Sequence, residues 1–295
     1  MHRARTIWQA LYQTALRIKP RVLNHDVPLT TDAPDDIAAA LKRTINQIKS
    51  QATDYERGTV DYQALQASDI YAEYRQITAH LRDFELASVD SREEKLAFWI
   101  NLYNALSIDG IIALGIRESM QEYVAFGDRV AYDIGGYFFS IEDIEHGILR
   151  ANAGHPYVPG PQFSPGDPRL AFALKQRDIR THFTLVCGAQ SCPPIQFYEA
   201  DKIDMQLDFA TKNYLNGSDV EIDIPNRQVT LNKLLMWYAH DFGASSLVRW
   251  NGLGDKTPIL RTIAPYRMNE TERAFLEHGE AKVAFKPYDW RLNAA

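Results

Sequence analysis

Both cysteines of the chain, Cys187 and Cys192, fall in one stretch, Thr181-His182-Phe183-Thr184-Leu185-Val186-Cys187-Gly188-Ala189-Gln190-Ser191-Cys192-Pro193-Pro194, together with one of its eight histidines. An apolar run that ends in a turn of small residues suits reactive groups, because the run fixes the geometry while the turn keeps side chains accessible. The chemistry these residue types suggest is a thiolate nucleophile, deprotonated by a nearby base that a third group orients. Read as a strand, the run places His182 and Cys187, five positions apart, on opposite faces. Gly188 permits a sharp turn that returns Cys192 to the face of His182, and the small residues Gly188 and Ser191 leave room for a substrate. Cys192 is the expected nucleophile, with Ser191 as the fallback. The plainer alternative is a core Cys187 and an ordinary loop thiol at Cys192.

A zinc site assembled from His146, His182, Cys187 and Cys192 is a weaker reading. Structural zinc sites show pairs of cysteines two to four residues apart, and here one pair stands at the upper limit with no second pair. No metal ligand and no cofactor is therefore assigned.

Two further constellations carry polar side chains on apolar elements. Glu142, His146 and Arg150 recur at four-residue steps on an expected helix from Ile141 to Arg150, so they share one stripe. In a functional reading His146 is an acid or base oriented by Glu142, and Arg150 meets a substrate carboxylate. The ordinary reading is a solvated face with an ion pair worth about 0.3–0.5 kcal/mol. Asn101 and Asn104 are three residues apart in a helix that is apolar nearly all round, Leu96 to Gly110. A buried amide without partners costs about 1–3 kcal/mol, so this face must meet polar groups. It either orients or stabilises reacting atoms, as an oxyanion-binding amide would, or ties down the backbone of a neighbouring loop.

The elements that position these groups can be read from punctuation and period. Ser91 and Glu94 form a capping box that opens the apolar helix. Val130–Ile134 and Tyr137–Phe139 flank Gly135-Gly136 as a hairpin, and Ser140 caps the helix that carries the stripe. The Pro- and Gly-rich run from Gly154 to Pro168 is a long loop that covers a cleft. A helix from near Glu199 is expected to bury Ile203, Leu207, Ala210 and Tyr214. A second hairpin joins 220–224 to 228–231, and an edge strand is expected in 283–290. Trp237, Tyr238, His240 and Asp241 read as core and helix-end residues. Hairpins mixed with long helices give an α+β fold with a mostly antiparallel sheet, a buried central helix and further packed helices. Residues 1–60 read as an N-terminal helical extension, with helices over the amphipathic start and over Asp35 to Ser50, and residues 61–295 as a single α+β domain.

Composition narrows the classes. With 45% apolar and 24% charged residues the chain is an ordinary globular protein, and 32 basic against 38 acidic residues, dispersed, leave no nucleic-acid footprint. Two cysteines cannot form a disulfide framework, so the core must hold the fold. The basic start, Met1-His2-Arg3-Ala4-Arg5, mimics a signal peptide, but Gln9 and Gln13 break the apolar stretch and no convincing cleavage site follows. The expected location is the cytoplasm. No run is expected to span a bilayer.

At these residues the sequence resembles the family called domain of unknown function 547. The matching stretches are Ala97-Phe98-Trp99-Ile100-Asn101-Leu102-Tyr103-Asn104-Ala105-Leu106, Ile144-Glu145-His146-Gly147-Ile148-Leu149-Arg150, His182 through Pro194, and Tyr288-Asp289-Trp290-Arg291-Leu292-Asn293. They cover about residues 60–293, in the expected order. The polar members of these motifs correspond to Asn101, Asn104, His146, Arg150, His182, Cys187, Cys192 and Asp289, which raises the functional reading of the His146 stripe. A looser similarity, to papain-like and transglutaminase-like thiol enzymes, rests on a buried helix beside an antiparallel sheet. No cysteine lies on the Leu96 to Asp109 helix, so the catalytic residues of those enzymes do not carry over.

The expected function is thiol-dependent hydrolysis or acyl transfer at an amide or ester of a small-molecule or peptide substrate. Cys192 is the nucleophile, His182 or His146 the base, and Asn104 or Asn101 the orienting amide. The alternative is a noncatalytic binding or scaffold module, with a protein partner, in which the same polar residues hold a loop in shape. A metal-binding protein is the third reading.

Overall fold

The computed structural model describes residues 7–29, 34, 36–54 and 58–295. The expected signal-like start Met1 to Thr6, and Asp35 at the head of the second expected helix, lie outside them. The chain divides into two compact units. The first holds residues up to Asp178, Leu185–Ile203 and Trp290–Ala295, and the second holds Ile179–Thr184 and Asp204–Asp289.

In the first unit α1 is Ile7–Ala15, followed by the two-residue strand β1, Arg21–Val22. Helix α2, Ile37–Ala52, starts where the Asp36 side chain accepts the Ala39 N–H. The short strands β2, Thr53–Asp54, and β3, Thr59–Val60, pair antiparallel, and α3, Tyr62–Gln66, and α4, Asp69–His80, follow. Helix α5, Arg92–Leu114, is the centre of the unit. The Ser91–Glu94 capping box opens it, Gly115 at φ +68° closes it, and fifteen of its residues are buried. By length and composition alone it could cross a bilayer, but 89% of its most apolar window is buried inside the protein. Its one buried carboxylate, Asp109, is met by Tyr71 Oη at 2.5 Å, Tyr132 Oη at 2.7 Å and Arg75 Nη1 at 3.0 Å, so the charge is fully hydrogen-bonded.

Helix α6, Phe126–Arg129, leads into the hairpin of β4, Val130–Ile134, and β5, Tyr137–Ser140. Gly135 and Gly136 both have positive φ, at 57° and 79°, as a two-residue hairpin turn with right-handed strand twist requires. Strand β4 pairs parallel with β1 and antiparallel with β5. The hairpin delivers Ser140, whose Oγ accepts the Asp143 N–H while Asp143 Oδ2 accepts the Ser140 N–H. The helix that this cap starts is wound as a π-helix over Asp143–Leu149, with Arg150 N donating to Glu145 O five residues back. Phe163 packs so closely on this helix that a Cβ on Gly147 would stand 2.2 Å from its ring. The 154–168 loop is pinned by Arg169, which bridges Asp143 and Asp167 and lies over the Phe163 ring.

In the second unit α7, Ile203–Leu215, is followed by β6, Val220–Asp223, and β7, Gln228–Asn232. Then come α8, Lys233–Trp237; α9, Ser246–Asn251; α10, Thr257–Ile263; α11, Glu270–His278; and β8, Lys282–Lys286. Strand β7 pairs antiparallel with β6 and parallel with β8, which forms the expected edge. Phe183, Leu231, Leu235, Phe242 and Ile259 form part of its core. The fold is α+β, with small sheets beside many helices.

One expected element is absent. Residues 181–186 are not a strand: Ile179–Phe183 is a 3₁₀ turn, and the Val186 N–H is bonded to the Asn104 side chain rather than to a neighbouring strand. A short run of this kind is compatible with either state, and here burial of Phe183 and Val186 is met without a ladder. The alternation that set His182 against Cys187 therefore does not apply.

Candidate functional site

The thiol turn is built by the first unit from three directions. Asn104 on α5 accepts the Val186 N–H at 2.8 Å, just before Cys187. Gly188 sits at φ +96°, where a Cβ would be 2.3 Å from Ile111 Cδ1 and 3.1 Å from Met120 Sδ, so only glycine fits. The C-terminal segment then clamps the turn: Asn293 N donates to Gly188 O and Gln190 N to Arg291 O, each at 2.8 Å. Tyr62 Oη holds Asn293 Oδ1 at 2.7 Å.

These constraints return Cys192 onto Cys187. The two sulfurs are 3.3 Å apart, too far for a disulfide of about 2.05 Å, and Cys187 N donates to Cys192 Sγ at 3.3 Å. Both residues are half-buried. Burial pushes the Tyr62 phenol well above its ordinary pKa, and the neighbouring Cys192 and Cys187 add to the effect, so Tyr62 stays protonated beside the thiols.

The other expected members lie as follows. Asn101 is used at both ends of its amide, donating to Tyr198 O at 2.8 Å and accepting the Tyr198 N–H at 2.9 Å. His182 belongs to the second unit, where Nε2 is 3.0 Å from Asp241 Oδ2, both side chains are nearly out of solvent, and the ring stacks on Tyr238. Ser191 is half-buried next to Cys192.

A second polar centre forms on the π-helix. His146 Nε2 stands 2.8 Å from Glu142 Oε2, and Arg150 donates from Nη1 to His146 Nδ1 at 2.9 Å and to Gly154 O at 2.7 Å. His155, from the covering loop, brings Nε2 to 4.0 Å from the same Glu142 oxygen, and Tyr103 Oη donates to Glu145 at 3.0 Å. The stripe expected on a solvated face is thus turned inward. Glu142 Oε2 is out of solvent and has no hydrogen-bond partner, although the side chain as a whole keeps about a fifth of its exposure. Burial raises the Glu142 carboxyl to about 7 against the lowering effect of His155, with Glu145 and Asp143 adding to the rise. Burial depresses His155 to about 4, with Glu142 opposing and His146 assisting. A carboxyl near 7 is suited to proton transfer at neutral pH.

Among the described residues Glu142, His146 and His155 also bring metal-ligand atoms within 4.8 Å of one another. The protonation pattern opposes a metal. A guanidinium only donates, so His146 Nδ1 is an acceptor, and His155 Nδ1 likewise accepts the Tyr157 N–H. Both neutral rings therefore carry their proton on Nε2, the nitrogen a metal beside Glu142 would need bare, and a metal there would also face the buried Arg150 cation. His155 was missed in the sequence because no period links it to His146. Its position in Gly154-His155-Pro156, just past a helix that already carried a histidine, was the available signal.

Neither a curated protein nor a solved structure matches the chain. The family model matches a narrower span than the motifs do and leaves Tyr288–Asn293 outside. Residues 86–215, which include α5, the π-helix and the thiol turn, match the family described as "Protein of unknown function, DUF547", the family its motifs resemble.

Proposed function

We propose that this chain is a thiol-dependent enzyme of hydrolysis or acyl transfer at an amide or ester, with Cys192 as its nucleophile. The observation that carries the reading is the environment of the sulfur. Cys192 is half-buried, its Sγ receives the Cys187 N–H and abuts the Cys187 thiol, and donors aimed at sulfur favour the thiolate, which is the reactive form. The turn that holds it is fixed in advance by Gly188, Asn104 and the C-terminal clamp, so little reorganisation precedes attack. The thiolate adds to the carbonyl carbon, the C–N or C–O bond breaks as the amine or alcohol leaves with a proton taken from solvent water, and water or a second nucleophile then cleaves the thioester. Asn104 serves as a positioning residue through Val186. Asn101 is assigned no chemical part, since Tyr198 occupies its amide.

A second reading has one observation in its favour. Two thiols 3.3 Å apart also suit thiol–disulfide exchange, with Cys187 resolving a mixed disulfide at Cys192. A panel of activated esters and aminoacyl anilides, with intact-mass detection of an acylated protein, separates the readings. Acylation lost in Cys192→Ser and kept in Cys187→Ser supports acyl transfer. Turnover of a disulfide probe that requires both cysteines supports exchange. Equal behaviour of wild type and Cys192→Ser would leave the scaffold reading.

A further inference from the structure

A cavity of about 610 Å³ in the first unit opens between α2 and α5, closed by segments near Phe84 and Phe197. Its volume lies in the range of small-molecule sites. The walls are apolar, from Ala39 and Ile45 on α2 to Ala97 and Leu102 on α5. Asn101 also borders it but offers a ligand nothing, because both ends of its amide are bonded to Tyr198. Three phenyl rings remain: Phe84 and Phe98, stacked 5.1 Å apart and within 9° of parallel, and Phe197.

The charges around these rings are one-sided. Asp36, Glu94, Glu199 and Asp201 line the cavity against a single cation, Lys42. Glu94 is held ionised at the α5 cap by hydrogen bonds from Ser91 and Asp90, which lower its pKa. Lys42 shows what such a site accepts. Its ammonium lies 5.3 Å from the centre of the Phe197 ring and pairs with Glu199, so the chain seats one of its own cations against ring and carboxylate.

We infer that this cavity is a binding site for an amphiphilic monocation, a primary or quaternary alkylammonium whose tail lies along the α2–α5 wall and whose head sits over the phenyl rings inside the acidic rim. An alkyl carboxylate would meet Asp36, Glu94 and Asp201, and the two nearby lysines, Lys42 and Lys202, are both already paired with Glu199. A neutral alcohol would gain the wall but not the rings or the rim. The inference is independent of the chemistry at Cys192.

The test uses decyltrimethylammonium, decanoate and decanol, each below its micelle-forming concentration, titrated calorimetrically into the full chain. The expected result is one-to-one binding of the ammonium at least about tenfold tighter than either competitor. Phe98→Leu should weaken it by about three- to tenfold, as loss of one ring face implies. Ala39→Phe, which fills the wall, should abolish it, and circular dichroism checks that each variant is folded. The decisive variant is Lys42→Met. Removing the internal cation should tighten ammonium binding, whereas a site built for carboxylates would lose its anchor. Decanoate binding as tightly as the ammonium, loss of ammonium affinity in Lys42→Met, or indifference to Ala39→Phe would each overturn the inference.

Discussion

The paired titration of Glu142 and His155 gives opposite pH dependences that can be unmasked one at a time. In the folded protein the carboxyl is raised from 4.5 to about 7 and the imidazole lowered from 6.5 to about 4. Both shifts run against the usual direction for ion pairs, so the signs need working out. Between pH 4.5 and 6.5 an unfolded chain carries an ionised Glu142 and a protonated His155, while the folded chain carries a neutral acid and a neutral ring. Each state binds one proton across the two sites, so their summed contribution to the slope of stability is near zero. In Glu142→Gln only the ring remains. The unfolded state then binds the extra proton, and stability should rise by about 3 kcal/mol from pH 4 to 6.5, at about 1.4 kcal/mol per unit. Losing the carboxylate lowers His155 further, which extends the window downward. In His155→Gln only the carboxyl remains. The folded state binds the extra proton, and stability should fall by about 3 kcal/mol from pH 4.5 to 7. About a fifth to a quarter of each side chain stays exposed, so these figures are upper values. Urea denaturation at half-unit pH steps on wild type and both variants supplies the slopes, and the common background cancels between the two variants. A Glu142→Gln slope no more positive than the His155→Gln slope would refute the reasoning.

Other outcomes follow from single contacts. Gly188→Ala should cost about 3 kcal/mol or more in urea, because it combines positive-φ strain with a clash against Ile111, and it should separate the thiols, seen as slower oxidation to a disulfide. Asn101→Leu should cost about 2–5 kcal/mol by stranding the buried Tyr198 N–H and C=O; a cost under about 0.5 kcal/mol would show that the clamp contributes nothing. Zinc, cobalt and manganese should leave the thermal midpoint unchanged, since both rings carry their proton on Nε2; a rise that disappears in Glu142→Gln would show a metal site instead.

What the sequence revealed depended on how local the cause was. Helix α5 was legible because its cap and its all-round apolarity lie within one segment, although it runs on to Leu114, past the expected Gly110, and the first hairpin because Gly135-Gly136 supplies its own turn. The need for partners at Asn101 was also visible. Their identity was not, since Tyr198 is 97 residues away and Val186, the partner of Asn104, is 82 residues away. The π-helix escaped because a stripe at four-residue steps reads the same whether or not one turn is widened. Residues 181–186 failed as a strand for a related reason: the hydrogen bond that holds them comes from a side chain on α5. The return of Cys192 across Gly188 was foreseen, but its neighbour is Cys187, and the clamp from Asn293 and Arg291 arrives from the far end of the chain.

The central claim, that Cys192 is an activated thiol, is tested most directly by the rate of iodoacetamide alkylation at each cysteine, followed by peptide mass spectrometry from pH 4 to 10. The account predicts that Cys192 reacts rapidly below about pH 7, with a midpoint under the free-thiol value near 8.5, and that Cys187→Ser preserves most of this advantage. A Cys192 that alkylates only as the pH approaches 8.5, no faster than a cysteine in an unfolded peptide, would contradict it.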